Sequence, residues 1–192
     1  MACVAMLQKN VKLAFALLLG FVGLLRTGEI LDLLAKNIRT YGNPLLVVSL
    51  PDSKGASRSG NAETVMVRDP LIVLFGKALL KNLNDDDFVL GGTWHDLNRG
   101  LQGLASKFGV RDPRLTPYCL RRGGATWHFT TFCSYDQTQS LGRWNQAKTA
   151  RIYIDQATAE ISNRMLPERG KARMVRAVRG LPWLVRAFCE EV

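Results

Sequence analysis

The chain has 192 residues, 47% of them hydrophobic, which is enough to bury the core of one ordinary domain. Its 26 Lys and Arg residues outnumber its 16 Asp and Glu residues, and the formal net charge is +10 at pH 7. Because the excess is spread along the sequence, it favours a polyanion over one small acidic ligand, and nucleic acid is the leading expected partner.

The cysteines and histidines indicate neither a metal centre nor a disulfide framework. The four cysteines are far apart and form no CxxC pair, and His95 and His128 are the only histidines. We therefore expect no metal, no cofactor and a reducing compartment.

The amino-terminal segment is expected to be helical and buried. Residues 7–25 follow a nearly all-apolar helical pattern, which predicts a central helix covered on most sides. Its apolar run is too short to span a bilayer and no cleavage site follows, so we expect neither membrane association nor secretion. A second helix, capped by Thr27, is predicted through residue 36. Arg26 then lies at the joint between the helices, where Glu29 is its simplest partner.

A β-hairpin with a long tip is predicted next. Residues 45–50 (LLVVSL) and 64–67 (TVMV) are typical strands, and the tip between them carries Lys54 and Arg58. Such a loop is mobile and can reach into a groove, although a loop lysine taken alone is more simply a solvated one. Further helices are predicted from Pro70 and, capped by Thr93, to about residue 108.

The stretch LTPYCLRRGGATWHF carries the most chemical information. Thr116 suits an N-cap and Pro117 the first helical position, so Tyr118, Arg121 and Arg122 should fall in the first turns of a helix. Free backbone N–H groups and arginine forks at such a place favour a phosphate. A basic surface on an amphipathic helix is the plainer interpretation.

Two short helices and a basic tail complete the prediction. Gly142 should end one helix and Asn145 should cap the next, which contains Tyr153. The tail, residues 164–186, has seven basic residues against one acid, so that one helical face is strongly positive. Gly180 and Pro182 are expected to interrupt this helix, whose apolar end can pack in cis or on a neighbouring subunit.

These pieces resemble, in order and spacing, the catalytic domain of tyrosine recombinases, the phage-integrase family. They are Arg26 before Glu29, a hairpin lysine, YCLRR, and LGRW followed nine residues after its Trp by Tyr153. The resemblance covers about residues 7–156, and the form LRRGGATW with GRW and YI is most similar to recombinases of eukaryotic mobile elements of the Crypton type. It implies an α+β, mainly α-helical fold with a small β-hairpin or sheet. The implied division is a catalytic domain over residues 1–160 and a basic helical tail over residues 161–192.

The resemblance also implies roles for the matching residues. Arg26 and Arg121 would clamp the scissile phosphate, and Lys54 would be the general acid for the leaving 5′ oxygen. Tyr153 would be the nucleophile that forms a 3′-phosphotyrosyl ester. Two fixed guanidinium groups suit this chemistry because they stabilise the charge that develops on the phosphate oxygens without metal ions.

Two positions need separate interpretation. Tyr118 stands where most members have histidine, and a phenol with a pKa near 10 is a poor base at neutral pH, so we expect it to donate a hydrogen bond. Trp144 occupies the slot held by His or Trp when counted back from Tyr153, whereas counting from Gly142 puts Arg143 there. The basic residues expected to contact DNA are Arg58, Arg122, Arg143, Lys148 and Arg151.

The implied function is a site-specific DNA recombinase that acts on double-stranded DNA as a homo-oligomer, a tetramer, in a nucleus or in bacterial cytoplasm and nucleoid. A DNA-binding module that has lost the chemistry and a type IB topoisomerase-like enzyme are the alternatives. The family usually carries an amino-terminal DNA-clamping domain that this sequence does not include. A fragment, a partner that supplies the clamp, or a decayed mobile-element gene would each account for that.

Overall fold

The computed structural model describes residues 1–42, 44–51 and 62–192. Most of these residues are helical, and three strands form one small antiparallel sheet, so the expected mainly helical α+β class is confirmed. In chain order the elements are α1 (Ala2–Leu7), α2 (Val11–Val22), α3 (Thr27–Leu31), β1 (Ile38–Tyr41), β2 (Leu45–Leu50), β3 (Glu63–Val67), α4 (Pro70–Leu80), α5 (Trp94–Ser106), α6 (Tyr118–Phe132), α7 (Tyr135–Gly142), α8 (Ala147–Tyr153), α9 (Gln156–Met165) and α10 (Glu168–Glu191).

Helix α2 is the centre of the core, as its apolar pattern predicts. It packs against α1, α4 and α6, and the Phe15 ring is fully buried against Phe75 of α4 at 5.4 Å between centroids. The single helix expected over residues 7–25 is wrong at its start. The chain turns at Lys9, which has a φ of 58°, and the side chain of Asn10 then caps α2 by accepting the N–H of Leu13 at 3.1 Å.

The connection from α2 to α3 is tighter than the sequence suggests. Leu24 is fully buried with a φ of 49°, a left-handed conformation that residues other than glycine seldom adopt. Arg26, and not Thr27, is the N-cap of α3, and its backbone N–H donates to the Glu29 carboxylate at 2.7 Å. Helix α3 ends at Leu31, five residues earlier than expected.

The predicted hairpin is present and has a third strand beside it. The strand order is β1-β2-β3, and Val48 in the middle strand pairs with Ile38 on one side and Val65 on the other. Alternate residues of β2 are buried against the core, which fixes the register. The segment IRTY of β1 was not predicted because it is short and mostly polar. Lys54 and Arg58 lie outside the described residues.

The helices that follow carry the site. Thr93 caps α5 as expected, its hydroxyl accepting the N–H of Asp96 at 3.3 Å. Helix α6 begins at Tyr118 with Pro117 as its N-cap, so the capping role predicted for Thr116 is wrong. Helix α7 ends at Gly142 as expected, while α8 has Gln146 as its N-cap in place of Asn145.

Helix α10 is continuous through Pro182, so the predicted interruption is wrong. A proline inside a helix costs about 3 kcal/mol, and apolar packing offsets that cost here. Val185 is fully buried, the Phe188 ring lies 5.6 Å from that of Phe75, and α10 packs on α1 and α4 of the same chain. Across the described part of the chain, no helix combines the length and the apolar character that a bilayer crossing needs.

Candidate active site

The guanidinium group of Arg121 is the centre of the candidate site. Arg121 lies in the second turn of α6 and is only 2% exposed. One Nη atom donates to the backbone carbonyl of Leu24 in the α2–α3 connection, and the other donates to the carbonyl of Gly142 at 2.5 Å, where α7 ends. Its Nε has no hydrogen-bond partner among the described residues. A buried donor that is left without a partner is energetically costly.

Two aromatic rings cover this guanidinium. The Arg121 Cζ atom lies 4.8 Å from the centre of the Trp144 ring and 5.5 Å from that of Tyr153. The two rings lie 4.5 Å apart, with Trp144 buried and Tyr153 half-buried. Cation–π contacts of this kind hold the charge in a fixed place. Position 142 must be glycine because a Cβ there would overlap the Trp144 ring.

Tyr118 lies beside Tyr153 at the exposed edge of the site. The two rings are 5.6 Å apart between centroids, and Tyr118 is 45% exposed. Partial burial of the phenol, together with its interaction with the Tyr153 hydroxyl, raises the pKa of Tyr118 to about 12. Tyr118 is therefore protonated at neutral pH and can donate a hydrogen bond, but it cannot serve there as a general base.

Arg26 belongs to a group of alternating charges next to Arg121. The group consists of Arg26, Glu29, Glu63 and Arg143, and we call it the ion-pair cluster. Arg143 donates to Glu29 at 2.6 Å and to Glu63 at 3.1 Å. Arg26 pairs with Glu29 and lies 3.4 Å from Glu63. The Arg143 and Glu29 side chains are each 7% exposed, so this is a largely buried network.

The cluster sets the electrostatics of both arginines implied in phosphate binding. Burial, together with the positive charges of Arg143 and Arg26, lowers the pKa of Arg121 to about 10, so Arg121 still carries its charge at neutral pH. Burial opposes the charge of Arg26 as well, but Glu29 and Glu63 outweigh it and raise the pKa of that guanidinium. Arg26 also lines a cleft of about 530 Å³ that reaches Pro51 at the base of the hairpin tip.

The Thr126 hydroxyl ties α8, the helix that carries Tyr153, to α6. It lies 3.2 Å from the carbonyl oxygen of Tyr153 and accepts the backbone N–H of Asp155 at 3.1 Å. One turn earlier, Arg122 pairs with the Asp155 carboxylate at 3.3 Å. Helix α6 therefore positions the end of α8 through side-chain contacts that the motif alone does not indicate.

The residues expected to contact DNA occupy different surroundings. Lys148 and Arg151 are exposed on α8, and the Arg151 guanidinium lies 5.7 Å from the Tyr135 ring. Arg122 is half-buried in its pair with Asp155. Arg143 points inward to the ion-pair cluster. The contribution of each to DNA binding stays a prediction.

The structure brings together Arg121, Trp144, Tyr153 and Tyr118, with Arg26 close by. Sequence reasoning treated Glu29 simply as a partner for Arg26 and did not anticipate Glu63 or Thr126. The position of Glu63 at the start of β3, next to the hairpin tip, is the one signal that points to it. Among the residues described, no three His, Cys, Asp or Glu side chains are grouped as metal ligands would be.

Known structures share this arrangement of elements. The chain is similar to the XerH site-specific recombinase bound to difH substrate in a pre-cleavage complex, with a TM-score of 0.61, 16% identity, and coverage of 84% of this chain and 49% of that one. It is equally similar to XerH bound to palindromic difH substrate in a post-cleavage complex. The TM-score is 0.61 and the sequence identity 16%, and the match covers 84% of this chain and 50% of that one. The comparison with the XerA recombinase gives a TM-score of 0.62 and 18% sequence identity, and it covers 87% of this chain and 62% of that one.

These neighbours are tyrosine recombinases, and the chain has the fold of their catalytic domain. It spans about half the length of the XerH chains and about three-fifths of the XerA chain. Comparisons with protein-family models and with curated protein sequences found no match.

Proposed function

We propose that this chain is a tyrosine recombinase catalytic domain that cleaves and rejoins double-stranded DNA through a covalent phosphotyrosyl intermediate. The stacking of buried Arg121 on the Tyr153 ring carries the proposal, since it fixes a positive charge beside the phenol that would be esterified. The Nε of Arg121, which is buried and has no hydrogen-bond partner among the described residues, would donate to a phosphate oxygen once the rings that cover the guanidinium move aside.

The chemistry follows from these groups. The Tyr153 oxygen attacks the scissile phosphorus, the bond from phosphorus to the 5′ oxygen breaks, and a 3′-phosphotyrosyl ester forms. The phenol gives up its proton and the leaving 5′ oxygen gains one, so that no water or high-energy cofactor is consumed. Arg121, with Arg26 nearby, stabilises the charge that develops on the non-bridging oxygens. Attack of another 5′ hydroxyl on the ester reverses the step and exchanges strands.

Tyr118 supports this reaction as a hydrogen-bond donor. Its hydroxyl stays protonated at neutral pH and its ring adjoins that of Tyr153. It can therefore donate to the phosphate or to the nucleophile, in the place where most tyrosine recombinases have histidine. The proton donor for the leaving group would be Lys54 on the hairpin tip, a role that rests on the sequence resemblance.

The finer parts of the proposal rest on the sequence as well. The motifs LRRGGATW, GRW and YI favour a recombinase of a Crypton-type mobile element, acting as a tetramer on DNA in a nucleus. A DNA-binding module without chemistry is the second candidate. It is favoured by one observation, the engagement of Arg26 by two carboxylates in place of a phosphate.

The test is covalent capture on DNA. The probe is a pool of duplexes of randomised sequence, each with a nick that lets the short 5′-hydroxyl strand diffuse away after cleavage. We expect a labelled adduct that survives SDS and maps to Tyr153 in the parent protein, that is absent from Tyr153→Phe, and that persists in Tyr41→Phe, where an exposed tyrosine of β1 is changed. Equal DNA binding by parent and Tyr153→Phe without any adduct would establish the binding module. Relaxation of supercoiled plasmid without recombinant products would indicate a topoisomerase.

A further inference from the structure

The solvent face of α10 is strongly basic, and none of its side chains belongs to the candidate site. Residues 169–189 of this helix contain no Asp or Glu. The arginines on the exposed face, which we call the α10 basic face, are Arg169, Arg173, Arg176, Arg179 and Arg186.

The charges of this face are not neutralised within the described chain. No carboxylate of the described residues lies within 4.0 Å of these guanidinium groups, whereas Lys171 in the same helix pairs with Glu168 at 2.7 Å. Arg173 makes one backbone contact, donating to the carbonyl of Lys107 at 2.6 Å, which places a further lysine beside the face. Unpaired cations held in a row at this density attract a polyanion.

The shape of the helix favours a nucleic-acid backbone over a lipid surface. A membrane-binding amphipathic helix presents a continuous apolar side to the bilayer. Here the exposed apolar residues Val175, Val178 and Trp183 lie among the arginines, and other apolar residues of the helix pack on the protein core. Val185 is fully buried, and Phe188 packs on Phe75. The basic face extends over residues 169–186, about 26 Å at the rise of an α-helix. Phosphates of one DNA strand recur about every 3.4 Å along the helix axis, so several can be met along this length.

We propose that the α10 basic face is a second DNA-contact surface, which binds the phosphates of duplex flanking the cleavage site without reading base sequence. The inference rests on the proposed function for the identity of the polyanion. Helix α10 packs on α1 and α4, while the site is built by α6, α7, α8 and the α2–α3 connection, so the two surfaces use separate elements. The face contributes affinity and salt dependence, and the site contributes the chemistry.

The experiment compares two sets of charge removals in the Tyr153→Phe background, where no covalent adduct can form. The first set is Arg169→Gln, Arg176→Gln and Arg179→Gln. The matched control is Lys9→Gln, Lys77→Gln and Lys81→Gln, three exposed lysines that form no ion pair within 4.0 Å among the described residues. Both sets remove three positive charges, so the loss of long-range electrostatic attraction between protein and DNA is the same in each.

Binding is measured by fluorescence anisotropy on a labelled 30-base-pair duplex, roughly three helical turns, across a range of salt concentrations. We expect the slope of log affinity against log salt to fall by about 2–3 in the arginine set, near 0.9 for each lost phosphate contact. Affinity at low salt should fall at least tenfold there and about twofold in the control. As a second readout, DNA should protect Arg176 and Arg179 from phenylglyoxal in the parent.

Equal slopes in the two sets, or no protection of these arginines, would overturn the inference. Tighter binding of the parent to phosphatidylserine vesicles than to duplex would overturn it in favour of a membrane surface. If the parent forms the Tyr153 adduct but the arginine set binds like the control, this inference alone fails. If the arginine set loses binding while the parent forms no adduct, the proposed function fails and the surface stands.

Discussion

The ion-pair cluster predicts a strong energetic coupling between Arg143 and Glu29. The change Arg143→Met keeps the apolar length of the side chain and removes the guanidinium. Removal of one partner from a buried ion pair costs about 3–5 kcal/mol, because the charge left behind loses its compensation. Arg143 and Glu29 lie 2.6 Å apart and are each 7% exposed, but Arg26 continues to pair with Glu29 in the variant. We therefore expect a loss of about 2–3 kcal/mol in the free energy of unfolding.

The assay is a double-mutant cycle. Urea unfolding, followed by circular dichroism, gives the unfolding free energies of the parent, Arg143→Met, Glu29→Gln and the double variant. The coupling between two residues in one buried network should be about 1–3 kcal/mol. The control cycle uses Lys171→Met and Glu168→Gln, a pair at a similar distance of 2.7 Å whose carboxylate is 87% exposed. Its coupling should stay below about 0.5 kcal/mol, because solvent screens the interaction.

Similar coupling energies in the two cycles would refute the reasoning. That result would mean that water reaches the Arg143–Glu29 pair and screens it as at an open surface. Burial would then lower the pKa of Arg121 with little help from the positive charges of Arg143 and Arg26.

Two further predictions concern Tyr118 and the packing of α6. Because the pKa of Tyr118 is raised to about 12, its phenol should not titrate in the rate of adduct formation between about pH 6 and 9. Tyr118→His should add a step near the pKa of about 6.5 of the new imidazole, because the neutral ring can accept the proton of Tyr153 and the imidazolium cannot, so that the rate falls below that pH. A step in the parent that Tyr118→Phe abolishes would contradict this. Gly124→Ala should lower the free energy of unfolding by more than about 2 kcal/mol, since the new Cβ would overlap the Phe21 carbonyl of α2. Gly103→Ala, whose new Cβ would meet nothing within 4 Å, should raise the free energy of unfolding by up to about 1 kcal/mol. Equal urea midpoints for the two variants would disprove the close contact at Gly124.

Local chemistry made much of the scaffold predictable. The apolar pattern of α2 and the Thr93 cap of α5 each depend on neighbouring residues in the sequence, and both are present. The continuity of α10 depends on long-range packing instead. Pro182 is a helix breaker by its own chemistry, and burial of Val185 against the core overrides it. The short strand β1 likewise exists because β2 offers it a pairing edge.

Motif spacing named several of the residues that meet at the candidate site, but it did not give their geometry. Motif spacing placed Arg121 in the first turns of a helix and Tyr153 on a later one, while their approach depends on contacts between distant segments. Glu63 and Thr126 were missed for the same reason, since each acts across the fold on a partner far away in sequence.

Backbone strain explains how Arg121 is held. The two carbonyl groups that accept from its Nη atoms belong to Leu24, which is itself left-handed at φ 49°, and to Gly142, whose peptide leads into Arg143 at φ 55°. Left-handed residues other than glycine cost of order 1–3 kcal/mol each, and they persist where the surrounding structure overdetermines them. Here the compensation is the pair of charge-assisted hydrogen bonds from one guanidinium, each worth about 1.5–3 kcal/mol. Arg121 therefore ties the α2–α3 connection to the end of α7, and the same contacts leave its Nε directed at no protein group among the described residues. The strain at these two turns is therefore offset by the contacts that fix the orientation of this side chain.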